Sequence, residues 1–342
     1  MKKQWLVISI VVLISSAFSL ADKYPFSLPE GWPSPEFSFK GRNLTEEKIL
    51  LGRVLFYDPI LSRDNSISCA SCHSPFNAFA HTDHALSHGI HDSVGKRNAP
   101  ALMNLAWSKR FMWDGSAKSL DEQALIPITH PAEMGERMDH LLEKLNQSPL
   151  YEKLFQDAFG RNGISQKNLT AAITQFMLTL VSSNSRYDSV MRKQTTFTPQ
   201  ENRGYGLFRN HCASCHTEPL FTNHSFKNNG LSLDEKLNDY GLLIVTRKNS
   251  DSLLFKVPSL RNVQYSYPYM HDGRFKKLSE VIEHYASGIN QSEPLSAELK
   301  KPMILHSNDK VDLIAFLLTL SDKSFVFDQR HHFPDILKNQ SP

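Results

Sequence analysis

Apolar residues along this chain recur mostly at the spacing of one helix face. Leu169, Ile173, Phe176 and Leu180 form such a stripe, and Leu51 and Leu55 continue a helix that Thr45 can cap, with Glu46 and Glu47 at its positive end. Thr198-Pro199-Gln200-Glu201 is a capping box with proline at the first helical position, which opens another helix. Leu278 to Tyr285, stopped by Gly288, and Asp309 to Leu320 read as two more amphipathic helices. Strand-type alternation is scarce, so the pattern predicts a mainly α protein with long loops. Ahead of these elements the apolar run Trp5 to Leu20 follows Lys2 and Lys3 and ends in Ser19-Leu20-Ala21. That is the build of an export signal, residues 1–21, cleaved after Ala21. A run of about 16 residues is shorter than the roughly 20 that cross a bilayer, so an uncleaved anchor is the weaker alternative. Pro25, Pro29, Pro33 and Pro35 then favour an extended lead-in over 22–40.

The chain also repeats itself. Leu55-Phe56 precedes Cys69-Ala70-Ser71-Cys72-His73, and Leu207-Phe208 precedes Cys212-Ala213-Ser214-Cys215-His216. Further on, Pro100 to Asn104 with Phe111-Met112-Trp113-Asp114-Gly115 matches Pro258 to Asn262 with Tyr269-Met270-His271-Asp272-Gly273. This second block keeps one offset of 158 residues, as Pro258 against Pro100 shows. Two copies of one domain are the simplest account. Their expected spans are 41–186 and 196–324, with a tail at 325–342.

Length and composition agree with two domains: 342 residues, 40% of them apolar, supply a core for each. The net charge of +3, or +1 once Lys2 and Lys3 leave with the leader, argues against a nucleic-acid-binding protein. Fifteen histidines accompany only four cysteines, and all four cysteines lie in the two CASCH clusters. CxxCH is the attachment pattern of c-type haem, with two thiols spaced for the porphyrin vinyl groups and an adjacent histidine as iron ligand. A disulfide, a zinc knuckle and a thioredoxin-like pair are the alternatives. Zinc wants four close ligands where each cluster offers three, and a redox CxxC wants a βαβ setting. The reading is two covalent haem c groups, on Cys69, Cys72 and His73 and on Cys212, Cys215 and His216, in a protein exported to the periplasm.

Function depends on the opposite face of each iron, since a second ligand makes an electron carrier and an open face can bind peroxide. Met270 is a candidate ligand, but the repeat puts Met112 at the same place, which favours a shared structural role. In the same register Tyr285 corresponds to Pro127, which cannot ligate iron. The repeat therefore suggests a closed second haem and an open first one. Near Pro127 stand Gln123 and, in the turn Pro131-Ala132-Glu133-Met134-Gly135, a carboxylate. Glu133 is the candidate for moving a proton between peroxide oxygens, and Gln123 for orienting the peroxide or a water.

Together these residues resemble the bacterial di-haem cytochrome c peroxidase family, including its MauG-type members. The resemblance runs roughly from Leu44 to Asp322 and is carried by LGRVLFYDPILS, both CASCH clusters, GKRNAPALMN, FMWDGS, EQALIPITHPAEMG, FKVPSLRN and PYMHDG. It implies two cytochrome c-like domains, a peroxidatic haem in the first, an electron-transfer haem in the second and a calcium ion between them. By that pattern Trp113 relays electrons between the haems, Gln123 and Glu133 line the peroxide pocket, and Asn98, Ser266 and Pro268 contact calcium, Ser266 standing where threonine is usual. Tyr285 occupies the place where many of these peroxidases have a methionine. A displaceable distal histidine aligns with Ile90, and a one-residue shift would make His91 a resting-state ligand, in a loop that also holds His81, His84 and His88. The expected activity is reduction of hydrogen peroxide to water with electrons from a small cytochrome c or cupredoxin. The alternatives are a MauG-like oxidase that uses peroxide-derived high-valent iron on a partner protein, and a non-catalytic di-haem carrier. The pattern is compatible with a homodimer.

Overall fold

The computed structural model describes residues 26–291 and 294–338, so the expected leader lies outside the described residues. The first half contributes α1 (Glu46–Tyr57), the single turn α2 (Cys69–Cys72), α3 (Leu120–Thr129), α4 (Met138–Asn146), α5 (Pro149–Phe159) and α6 (Gln166–Leu178). The second contributes α7 (Arg186–Met191), α8 (Pro199–His211), α9 (Leu243–Thr246), α10 (Leu278–Glu283) and α11 (Ser307–Leu318), and α12 (Lys323–Val326) and α13 (Asp335–Lys338) follow. The two short strands β1 (Phe226–Lys227) and β2 (Phe255–Lys256) pair antiparallel, Phe226 opposite Lys256. The protein is mainly α, as the pattern predicts.

The repeat is visible as one packing solution used twice. Thr45 and Thr198 cap α1 and α8, their hydroxyls accepting from Lys48 N and Glu201 N. α1 crosses α6 so closely at Gly52 that a Cβ there would lie 1.9 Å from Ala172 O, and α8 crosses α11 in the same way, with Gly204 1.9 Å from Asp312 O by the same measure. Only glycine allows backbones this close. The second block repeats down to its backbone angles: Asn104 and Asn262 both have φ 56, and Met112 and Met270 have φ 65 and 74. Phe111 bridges to Ala117 as Tyr269 does to Phe275.

The halves meet at the two repeated asparagines. Asn104 Nδ2 donates to Ser182 O at 3.1 Å and Asn262 Nδ2 to Ser182 Oγ at 2.9 Å. Arg97 adds a second tie, pairing with Asp114 at 2.7 Å in its own half and with Asp239 at 2.5 Å in the other. Each half has its own core, centred on Phe56, Phe79 and Phe176 in one and on Phe208, Phe221 and Phe316 in the other.

Three details go beyond the pattern-based expectation. The proline-rich lead-in, without a helix over 26–40, packs on the first half: Trp32 is buried edge-on against Trp107, and Phe37 N donates to Ala106 O at 2.9 Å. The chain after 322 returns to the first half, where Phe325 and Val326 join its core and Tyr57 donates its hydroxyl to His331 O at 2.6 Å. The helix from Leu278 ends at Glu283 and gives way to a π-helical turn, His284–Gly288, which holds Tyr285. Such turns widen a helix by one residue and recur at functional sites.

Candidate haem and peroxide sites

Each CxxCH cluster begins as a tight turn that puts its histidine between carbonyl oxygens. His73 Nδ1 lies 2.7 Å from Phe79 O, and His216 Nδ1 lies 3.1 Å from Phe221 O and 3.2 Å from Pro258 O. Donating Nδ1–H to a carbonyl fixes the tautomer and leaves Nε2 as the lone-pair nitrogen, the arrangement an iron ligand requires. Burial pushes His73 down to about 4 and lowers His216 as well, so both imidazoles are neutral.

The four cysteines form no disulfide. Burial pushes the thiols of Cys69 and Cys212 up to about 12 and Cys72 up to about 11, and raises Cys215. A thioredoxin-like pair needs the opposite shift, and among the described residues no group of three or more His, Cys, Asp or Glu is placed to hold a metal ion. A cavity of about 270 Å³ opens against Cys212, Cys215 and His216, walled largely by apolar side chains. Protonated thiols, a neutral histidine with one committed nitrogen and an adjoining apolar cavity fit a covalently held haem.

Tyr285 and Met270 both line this cavity. They share a neighbour the sequence reading missed: Asn229 Nδ2 lies 3.4 Å from Met270 Sδ, its side chain also hydrogen-bonds Tyr285, and Asn229 O meets His284 Nε2 at 2.9 Å. Burial, with Cys212 and Cys215 as further contributors, pushes the Tyr285 phenol up to about 12, which places its oxygen near the second cluster. Trp113 lines the same cavity, donating Nε1–H to Asn98 O at 2.9 Å while its own carbonyl accepts from Lys256 N at 2.8 Å. Asn98, Ser266 and Pro268 are on the cavity wall too. The Asn98 amide nitrogen is spent on Ala85 O at 3.0 Å, which leaves its amide oxygen as the group to offer a cation. A calcium ion there would rest on neutral oxygen donors.

Over the first cluster the turn 130–135 and the loop 89–92 hold each other. Glu133 N donates to His130 O at 3.0 Å, and Glu133 O accepts from Ile90 N at 2.8 Å. Gly89 is required here, because a Cβ would lie 2.2 Å from Ala132 O. The Glu133 side chain is about a third exposed, and partial burial raises its pKa, opposed by His130, whose Nδ1 is 3.8 Å away. It in turn raises the thiols of Cys69 and Cys72, so it looks onto the first cluster. Gln123 and Pro127 are one helical turn apart on α3, and Gln123 Oε1 is buried with no hydrogen-bond partner. A buried acceptor left without a donor costs roughly 1–3 kcal/mol, which makes it a group awaiting a ligand or water.

Of the loop histidines, His81 stands near the first cluster, hydrogen-bonding Ser71, while the others pair among themselves or with acids. Ile90 is buried, whereas the His91 side chain is 70% exposed and faces Asp64 at 3.8 Å. His81 meets His84 at 3.2 Å, His84 stacks on His88, and His88 pairs with Asp92 at 2.6 Å. Two further residues went unnoticed in the sequence, His224 and Lys256, both on the cavity wall. His224 lies in a loop and Lys256 on a two-residue strand, where no periodicity marks them.

A family profile described as di-haem cytochrome c peroxidase matches residues 46–196, and one described as cytochrome c matches 201–321. The methylamine utilization protein MauG of Methylorubrum extorquens is 38% identical over 87% of this chain and 84% of its own length. The cytochrome c peroxidase Ccp of Escherichia coli is 34% identical over 80% of this chain and 58% of its own. Among solved structures, a MauG-like protein associated with microbial copper homeostasis superposes with a TM-score of 0.85 at 29% identity, covering 91% of this chain and 99% of that one.

Proposed function

This chain belongs to the di-haem cytochrome c peroxidase family, an oxidoreductase family carrying two c-type haems, and from that premise we propose that it reduces hydrogen peroxide at its first haem. The observation that carries the reading is Glu133, a partly buried carboxyl with a raised pKa facing the first CxxCH cluster. A plain electron carrier has no use for an acid there.

Cys69, Cys72 and His73 would hold one haem and Cys212, Cys215 and His216 the other, with Tyr285 as a further ligand to the second. A haem held at the first cluster by Cys69, Cys72 and His73 would supply the redox centre for peroxide chemistry. Glu133 is the group that would take a proton from peroxide and return it to the departing oxygen, so that water rather than hydroxide leaves. Gln123 orients the peroxide for that transfer. Overall, peroxide, two electrons and two protons give two waters. Trp113, on the cavity wall between the halves, passes the electrons. They come one at a time from a small cytochrome c or cupredoxin in the periplasm, to which residues 1–21 direct the chain. The first half, 41–186, is then the peroxidatic domain and the second, 196–324, the electron-transfer domain, with calcium at Asn98, Ser266 and Pro268.

Tyr285 favours a second reading, a MauG-like oxidase that draws its electrons from a partner protein. An anionic oxygen ligand lowers the potential of the second haem and stabilises its oxidised state. The two readings separate on one assay. Steady turnover of peroxide with a reduced small cytochrome supports the peroxidase. A slow reaction with that donor, alongside rapid oxidation of tryptophan or tyrosine on an added protein, supports the oxidase.

A further inference from the structure

Two side chains on the cavity wall of the second cluster can carry positive charge, and neither has an anionic partner. Lys256, from β2, reaches Arg110 O at 3.2 Å and stands 5.9 Å from the Phe111 ring, with no ion pair among the described residues. His224, two residues before β1, has Nδ1 at 3.3 Å from Ser108 Oγ, and its Nε2 is buried with no hydrogen-bond partner. The charged groups facing His224 are Lys256, Glu36 and Lys109, and the one acid among them is already tied to Lys109 at 3.1 Å. Burial without a counter-ion shows in both residues, holding Lys256 down to about 8 and His224 down to about 4. By contrast Lys227, on the same wall, is satisfied by Glu298 at 2.5 Å.

A half-buried lysine without a counter-ion and an orphaned ring nitrogen, both on the wall of one apolar cavity, call for an anion. In the tautomer where Ser108 donates to Nδ1, the Nε2 of neutral His224 carries the proton and is a donor available to the same space. On the haem reading above, on which this argument rests, the group that enters the cavity brings two carboxylates of its own. We infer that Lys256 and His224 form the receiving site for a propionate of the second haem, Lys256 as its charge partner and His224 Nε2 as a hydrogen-bond donor. The β1–β2 ladder brings them together, since Lys256 pairs with Phe226, two residues from His224. Because Lys256 N also donates to Trp113 O, the propionate anchor is tied to the relay residue by one peptide unit.

The site sets the second haem's potential. A cation near the porphyrin disfavours the ferric state, which carries one more positive charge, so removing the cation lowers the potential. The test uses the intact protein with both haems, counted by pyridine haemochrome, and reads resonance Raman propionate-bending bands together with a potentiometric titration. Lys256→Met and His224→Leu should each shift one propionate band. Lys256→Met should also lower the potential of the second haem and leave the first unchanged, and Lys256→Arg should restore both signals. Lys227→Met, removing a charge already paired, should change neither. Unaltered bending bands in Lys256→Met, or an equal shift in Lys227→Met, overturn the assignment. A shift that appears only with added acetate assigns the site to a free carboxylate from solution and overturns it as well. Wild-type protein with one haem per chain would instead defeat the haem reading beneath it.

Discussion

Replacing Glu133 by glutamine removes the carboxyl while keeping the shape, so it isolates the proton transfer. The backbone bonds that hold the turn, Glu133 N to His130 O at 3.0 Å and Ile90 N to Glu133 O at 2.8 Å, do not involve the side chain and survive. The 3.8 Å approach of His130 is long and half-exposed, so its loss costs at most about 1 kcal/mol of stability. Folding and both haem spectra should therefore be unchanged. A missing acid/base group slows the chemical step by about 10² to 10⁴, equivalent to about 3 to 5 kcal/mol of barrier. The pH profile adds a sign. Burial raises the carboxyl's pKa, so its proton-accepting form is lost as pH falls through a value above the ordinary carboxylate range. Wild-type reaction with peroxide should slow on that acidic limb, and Glu133→Gln should be slow and flat across it. Stopped-flow absorbance under excess peroxide from pH 4 to 8 measures both. A variant rate constant within a factor of about two of wild type, or an acidic limb that persists in the variant, refutes the assignment.

Cys69→Ala with Cys72→Ala should leave one haem per chain by pyridine haemochrome and intact mass, because each thiol pair serves only its own domain. Tyr285→Phe should convert the second haem from low to high spin in EPR, and if Met270→Leu does so instead, the ligand is the methionine. Gly204→Ala should destabilise the second half, since its Cβ would lie 1.9 Å from Asp312 O and 2.9 Å from Phe316 Cβ; the clash, roughly 1–3 kcal/mol, outweighs a helix-propensity gain of about 1 kcal/mol. Gly206→Ala, two residues on in α8 with open space around it, should instead stabilise by up to about 1 kcal/mol in the same denaturant titration.

What could be read from the sequence is what local chemistry or repetition encodes. The caps at Thr45 and Thr198, the CxxCH clusters and the 158-residue repeat each lie within a few residues or are stated twice, and the helices and halves follow from them. Glu133 was legible only through its context, because a carboxylate after a proline looks like surface. What escaped is long-range. Trp32 belongs to the core because Trp107 is beside it, and nothing in a proline-rich stretch announces that. The return of Phe325 to Phe79 spans most of the chain. Asn229, His224 and Lys256 sit in loops or on two-residue strands, where each matters only through a partner at a distant position. The π-helical turn at Tyr285 has no periodic signature either, and it inserts the extra residue that a regular helix reading overlooks.

The account turns on an open first haem beside Glu133, and rapid mixing of the fully oxidised protein with one equivalent of peroxide tests it most directly. With His91 on the surface against Asp64 and Ile90 in the buried place, neither position aligned with a displaceable histidine offers one, so the account expects peroxide to enter directly. The haem absorbance should therefore change within seconds, without prior reduction, and return on addition of two electron equivalents of a reduced small cytochrome. An oxidised protein whose spectrum stays unchanged over those seconds, and which responds only after one electron has been added, would contradict it.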